Sequence, residues 1–257
     1  MRIIISISLL FITISCDNIF DFEVVGNGEV EVFSPALASS FSSVVLNNNF
    51  QLEIIQWPKD SLSIEAESNL QPFIGVTIYK ETLIIDTNDN KTLIPQHKIR
   101  LKLFVDSLSS IENSGNGSVF IDSLSVRTLS VAQTNNGEFK TKICKVDSFS
   151  YFSSGANVAY IHGDFQIGYL RQIGSGEVTL TGTSSKIQWI QDGSGKIDSY
   201  GLMALRANVQ LYGTGLVFCR VSDFLNVQVV GEGKVYYKGS PEITSKLTNS
   251  TSLIKEY

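Results

Sequence analysis

A short glycine phrase returns through the second half of this chain at almost constant spacing. It reads SGNG at 114–117, NNG at 135–137, SGAN at 154–157, GSG at 174–176 and 193–195, GTG at 213–215 and GEG at 231–233. Counted from the last residue of each phrase (Gly117, Gly137, Asn157, Gly176, Gly195, Gly215 and Gly233), the steps are 20, 20, 19, 19, 20 and 18 residues. A weaker copy, NSTS at 249–252, ends 19 residues after Gly233. Self-similarity at such a period restricts the fold to repeat architectures before any finer reading begins.

The residues after each phrase alternate in character. Two positions on stand Val119, Phe139, Ala159, Val178, Ile197, Val217 and Val235, all apolar; four positions on stand Ile121, Thr141, Ile161, Leu180, Ser199, Cys219 and Tyr237, mostly apolar. The position directly after the phrase holds Ser118, Glu138, Val158, Glu177, Lys196, Leu216 and Lys234, four of them charged. Period two is the signature of a strand, with even offsets inward and odd offsets outward. Six positions on, Gly163, Gly182, Gly201 and Gly239 mark a second corner in four copies. A second apolar stretch (IQWI, VQL, VQVV) then leads into the next phrase.

A unit of this size is too short for a propeller blade, which takes about 40 residues, and lacks the leucine spacing of a leucine-rich repeat. It suits one coil of a parallel β-helix, an all-β solenoid in which like positions stack at about 4.8 Å. Glycine at the same corner of each coil supplies positive φ and lets neighbouring backbones approach. The competing fold is an antiparallel meander of long hairpins, which would not require one side-chain type in a column over seven copies. Coil stacking also separates Cys144 from Cys219 by four coils, about 19 Å, beyond the roughly 7 Å Cα reach of a disulfide. Both should be free, with Cys219 a small core residue.

The first 105 residues are less even. GNGEVEVF, VVLNNNFQLEIIQW, SLSIEAES, IGVTIYKETLIID and HKIRLKLFVD alternate but differ in length. The reading is therefore one solenoid over 17–257, with wider, irregular first coils over about 20–105 that cover an open end, and regular repeats over 106–257. Ahead of it, Ile3–Ser15 is 13 residues without a charge after Arg2, the size of a secretory signal's apolar core and too short to span a bilayer. It ends in Thr13-Ile14-Ser15-Cys16, similar to the lipobox of bacterial lipoproteins, in which the cysteine carries the lipid; the alternative is ordinary cleavage near Ser15. On the first reading, residues 1–16 are a lipoprotein-type signal, Cys16 is the lipidation site, and acyl chains tie the exported protein to the outer membrane. Removing 1–16 takes away Arg2 alone, leaving 19 − 25 = −6. That acidic balance, with no basic stripe, argues against a nucleic-acid partner.

The order of phrases resembles a known family, the putative auto-transporter adhesin head domain or GIN domain of Gram-negative lipoproteins. The resemblance covers about 23–257, from GNG and FSSVVLNNNFQLEIIQ through LSIEAESNLQPFIGVTIYKETLIID to VVGEGKVYYKGSPEI, with NNG, SGAN and NSTS departing from the glycine pattern. It implies a right-handed β-solenoid, exported and often lipid-anchored, with adhesion as its activity and no catalytic residues to transfer.

The residues themselves offer little chemistry. Glu138 and Glu177 share a column two coils apart, Asp192 and Asp198 flank one corner without a third partner, and His97 and His162 are far apart. There is no GGxGxD, HExxH, GxSxG or phosphate-loop motif, and no helix follows any GxG, so no cofactor is expected. The outward columns are more informative. The third offset reads Phe120, Lys140, Tyr160, Thr179, Asp198, Phe218, Tyr236; the fifth reads Asp122, Lys142, His162, Thr181, Tyr200, Arg220, Lys238. Tyr200, Phe218, Arg220, Tyr236 and Lys238 should converge near the C-terminal end, either as a platform for sugar rings, an anionic glycan or a surface protein or as an aromatic ladder that stabilises the sheet. The leading reading is a non-enzymatic envelope lipoprotein displaying a binding face. A carbohydrate-active enzyme on the same coils and a passive envelope component are the alternatives.

Overall fold

The computed structural model describes residues 23–88 and 91–257. The proposed signal over 1–16 and its Cys16 lie outside the described residues.

The chain is built of strands and short turns, with no α-helix among the described residues. Its N-terminal part holds β1 (Glu23–Val25), β2 (Val30–Phe33), β3 (Ser43–Leu46), β4 (Gln51–Gln56), β5 (Ser61–Glu67), β6 (Ile74–Tyr79), β7 (Thr82–Thr87), β8 (Thr92–Ile94) and β9 (Arg100–Val105). The regular part begins with β10 (Ser110–Asn113) and β11 (Ser118–Gln133). It continues through β12 (Glu138–Gly155), β13 (Val158–Gly174), β14 (Glu177–Gly193), β15 (Lys196–Gly213) and β16 (Leu216–Gly231). β17 (Lys234–Lys238), β18 (Glu242–Leu247) and β19 (Leu253–Lys255) close the chain.

Each coil from β11 to β16 is one long strand bent at corners, and every coil pairs parallel with the next. The register runs Ser118, Glu138, Val158, Glu177, Lys196, Leu216, Lys234, one step per repeat. This is a β-solenoid of about 7 turns; the meander is excluded by the parallel pairing. The inward column from Val119 to Val235 is at most 1 % exposed at each of its seven positions. Burying each Val, Ile or Phe of that column contributes about 1.5–3 kcal/mol.

The cross-section has three sides, where the alternation pattern suggested two. Along β12 the buried residues are Phe139, Thr141, Cys144, Val146, Phe149, Tyr151 and Ser153. Two exposed residues fall together at Lys142–Ile143 and again at Asp147–Ser148. A pair of outward residues shifts the phase of a period-two pattern, and that shift is a corner.

The glycine phrase is the third corner, and its two glycines do different work. The first has positive φ: +107° at Gly174, +121° at Gly193, +103° at Gly213 and +118° at Gly231. The last has ordinary φ but no room, since a Cβ on Gly195 would sit 2.6 Å from the Gly176 carbonyl oxygen and one on Gly215 2.7 Å from that of Gly195. The close approach lets backbone bonds continue through the corner, as when the Gly195 N–H donates to the Gly174 carbonyl at 2.9 Å.

Four strands of the first part are coil segments, but stacked out of sequence order. β7 pairs parallel with β3, and β3 with β10; β9 pairs parallel with β4, and β4 with β11. The layers therefore run β7–β9, then β3–β4, then β10–β11. The reading of 20–105 as wider coils needs correction for the rest: β5 lies antiparallel on β9, β6 antiparallel on β7, and β2 antiparallel on β5. An antiparallel neighbour cannot continue a parallel stack, so these strands close that end.

Candidate functional site

The third-offset column stands in the expected register, Phe120 beside Lys140, Tyr160, Thr179, Asp198, Phe218 and Tyr236 in turn. The fifth-offset column is broken. Thr181 pairs with Gly201 and Arg220 with Met203, so Tyr200 has no partner on β14 and sits in an irregularity of β15. Its coil is one residue longer than the preceding one, and the extra residue falls at the second corner. Gly201 is displaced with it and faces Thr181, whereas Gly163 and Gly182 do pair. A bulge of this kind re-aims a side chain.

Tyr200 is thereby turned onto the neighbouring column. Its ring meets Phe218 edge-on at 5.4 Å, and Phe218 stacks on Tyr236 at 4.9 Å with planes 10° apart. The Lys238 ammonium lies 4.9 Å from the Tyr200 ring centre and that of Lys196 5.5 Å from the Phe218 ring. The Tyr200 hydroxyl donates to Glu256 Oε2 at 2.6 Å. Burial, reinforced by that carboxylate, pushes the phenol up from its ordinary value. Lys196 bridges Glu177 at 3.0 Å and Asp198 at 3.2 Å, and its bond to Glu177 leads in raising it. Arg220 is exposed and pairs in register with Lys238.

Four of the five expected residues thus touch one another in a connected cluster, and Arg220 stands beside it across a shallow groove of about 530 Å³ shared with Lys238, Lys255 and Glu256. Sequence reasoning missed Lys196, Lys255 and Glu256. The last two belong to the closing segment around β19, which pairs on β17 with Leu253 opposite Val235. The alternation counted from NSTS runs one residue out of this register, since Leu253 and not Ile254 faces Val235, so no signal in the sequence would have found Glu256.

Elsewhere among the described residues the charged groups form separate surface pairs, such as Arg100–Glu65 at 2.9 Å and Lys142–Asp122 at 2.8 Å. His162 is exposed, with Nδ1 2.8 Å from Thr181 Oγ1, and His97 lies 3.8 Å from Glu67 in the N-terminal part. Among the described residues no three His, Cys, Asp or Glu side chains stand close enough to hold a metal. Cys144 and Cys219 are free and buried, and burial pushes both thiols up to about 12.

With the stacked glycine corners and the end coils described, comparison with known proteins becomes specific. The family model "Putative auto-transporter adhesin, head GIN domain" matches residues 40–241. The chain belongs to the GIN-domain family. No curated protein matches it. Among solved structures, a putative adhesin from Parabacteroides merdae matches this GIN domain with TM-score 0.85 at 19 % identity, over 92 % of this chain and all (100 %) of that one. A protein from Parabacteroides distasonis described as a putative lipid binding protein matches with TM-score 0.85 at 21 % identity, over 91 % and 100 %. A putative adhesin from Bacteroides fragilis matches with TM-score 0.67 at 21 % identity, over 90 % and 99 %. At these identities the shared property is the GIN solenoid itself.

Proposed function

We propose that this GIN-domain protein is a non-enzymatic binding module of the cell envelope, tethered through lipid on Cys16 and presenting its C-terminal coils to a glycan. The single observation behind this reading is the convergence of Tyr200, Phe218 and Tyr236 with Lys238 and Arg220 on consecutive coils. Aromatic and cationic side chains grouped on the outside of an acidic chain are a binding surface's composition rather than a solvated face's. The adhesin descriptions of the family and of two structural relatives agree with it.

A glycan array probed with the wild-type chain and with Phe218→Ala/Tyr236→Ala tests the site. The wild type should retain a defined set of glycans that the double variant loses. Unchanged retention by the variant, or none by either, would overturn the reading. Protease shaving of intact cells tests the location: cutting before lysis supports surface display, and survival until lysis removes adhesion to other cells.

A further inference from the structure

The faces of the aromatic ladder are already occupied. Phe218 lies flat against Tyr236 and meets Tyr200 on its way round the corner, and Tyr236 has Ile254 beside it in register on β19. A sugar ring docks on an open aromatic face. The packed ladder therefore offers a sugar ring no free stacking face. The groove beside the ladder is lined by three cations, Arg220, Lys238 and Lys255, by one side-chain carboxylate, Glu256, and by Tyr257, over whose ring the Lys255 ammonium lies at 5.8 Å. That is 3 − 1 = +2 in a chain whose net charge is −5. None of the ion pairs among the described residues uses any of the three.

The cations are also spaced. Arg220 lies on β16 with Lys238 in register beside it on β17, and Lys255 on β19 stands one residue short of that column, opposite Tyr237. Arg220 and Lys238 are thus one coil apart, about 4.8 Å, close to the length of one sugar residue in an extended chain.

Resting on the reading of these coils as a binding site, we infer that the ligand is an acidic polysaccharide. Its carboxylates or sulfates enter the groove that Arg220, Lys238 and Lys255 line. The aromatic ladder's task is to hold one wall of that groove in place, with Lys238 packed on Tyr200 and Glu256 engaged by the Tyr200 hydroxyl. Charge, rather than a stacked sugar face, selects the ligand.

Calorimetric titration of the chain with galacturonate oligomers of increasing length, beside their methyl esters, and with dextran sulfate beside dextran, tests this. The acidic member of at least one pair should bind at low salt, at least about tenfold more tightly than its neutral counterpart, and weaken as salt screens it. Arg220→Gln and Lys255→Gln should each lower affinity about fivefold and leave the melting temperature unchanged, because both side chains are exposed. Equal binding of acidic and neutral members would overturn the inference while leaving the glycan-binding reading intact. Binding of neither pair, or acidic binding indifferent to both variants, would overturn it also, and the array result then decides the broader reading alone. Co-sedimentation with phosphatidylglycerol vesicles that both variants abolish would assign the cations to lipid and overturn it as well.

Discussion

The two glycines of each phrase fail differently when given a side chain. Gly213 has φ +103°, and its Cβ would lie 2.7 Å from the Gly193 carbonyl oxygen, so Gly213→Ala should cost about 1–3 kcal/mol through strained backbone. Gly215→Ala should destabilise without any φ penalty, by pushing apart two coils whose separation the hydrogen bonds fix. Urea unfolding of the two variants checks both, and an unchanged midpoint in either would contradict the corner geometry. The buried thiols give a pH signature. Cys144 and Cys219 are held near 12 in the fold, above about 8.5 when unfolded. Ionisation of the unfolded chain then favours unfolding, so stability should be level below about pH 8 and fall as pH rises from about 9 towards 12. Neither thiol should react with an aromatic disulfide reagent at about pH 8 until urea is added. The inward pointing of Cys219 was legible from its offset, because a strand's parity fixes its face. The turning of Tyr200 was not: a coil of 20 residues after one of 19 announces an extra residue without saying which corner absorbs it.

At the scale of the coil, one inward column runs against the apolar pattern. Asn113, Gln133, Ser153, Gln172, Gln191, Leu211 and Val229 stand in register, and the five polar members are buried, at most 2 % exposed. Both amide atoms of Gln172 and of Gln191 lack a hydrogen-bond partner within the protein, a situation that costs about 1–3 kcal/mol per group. The same column accepts Leu211 one coil later, so Gln191→Leu should leave the urea midpoint unchanged or raise it. A clear drop would mean that the amides have partners which matter to the fold. The sequence hinted at this column only weakly, since IQWIQ and VQL carry outward and inward glutamines alike. The bulge makes a second forecast. Deleting Tyr200 gives β15 the length of β14, a coil size the solenoid already uses. The deletion variant should melt cooperatively a few degrees lower, by about the 1 kcal/mol expected for one lost aromatic contact. Loss of cooperative melting would show that the ladder is part of the core.

The molecule as a whole has unlike ends. β5 and β6 run antiparallel across the first layer, while the last coil ends in β18, whose residues Glu242–Lys246 are all exposed. Glu67, fully buried at the capped end, accepts from the backbone N–H groups of Gly28 and Gln96 at 2.8 and 2.9 Å and so pins two loops against β5. A chain beginning at residue 106 would expose the edges of β10 and β11 that β3 and β4 now cover. It should self-associate in light scattering at concentrations where the full chain does not; a monodisperse fragment would show the cap to be dispensable. The sequence revealed the regular coils because one rule is repeated seven times. It hid the cap because strand direction leaves no trace in alternation: SLSIEAES and HKIRLKLFVD read alike, and one runs against the other.

Coils of 18, 19 and 20 residues share one stack because the difference is absorbed mainly at the second corner, next to Cys144, Thr181 and Met203. That seam is a margin where residues can be gained or lost while the glycine spine opposite keeps its pitch. In descendants of this chain, inserted residues should be tolerated along that margin, as the extra residue at Tyr200 is here.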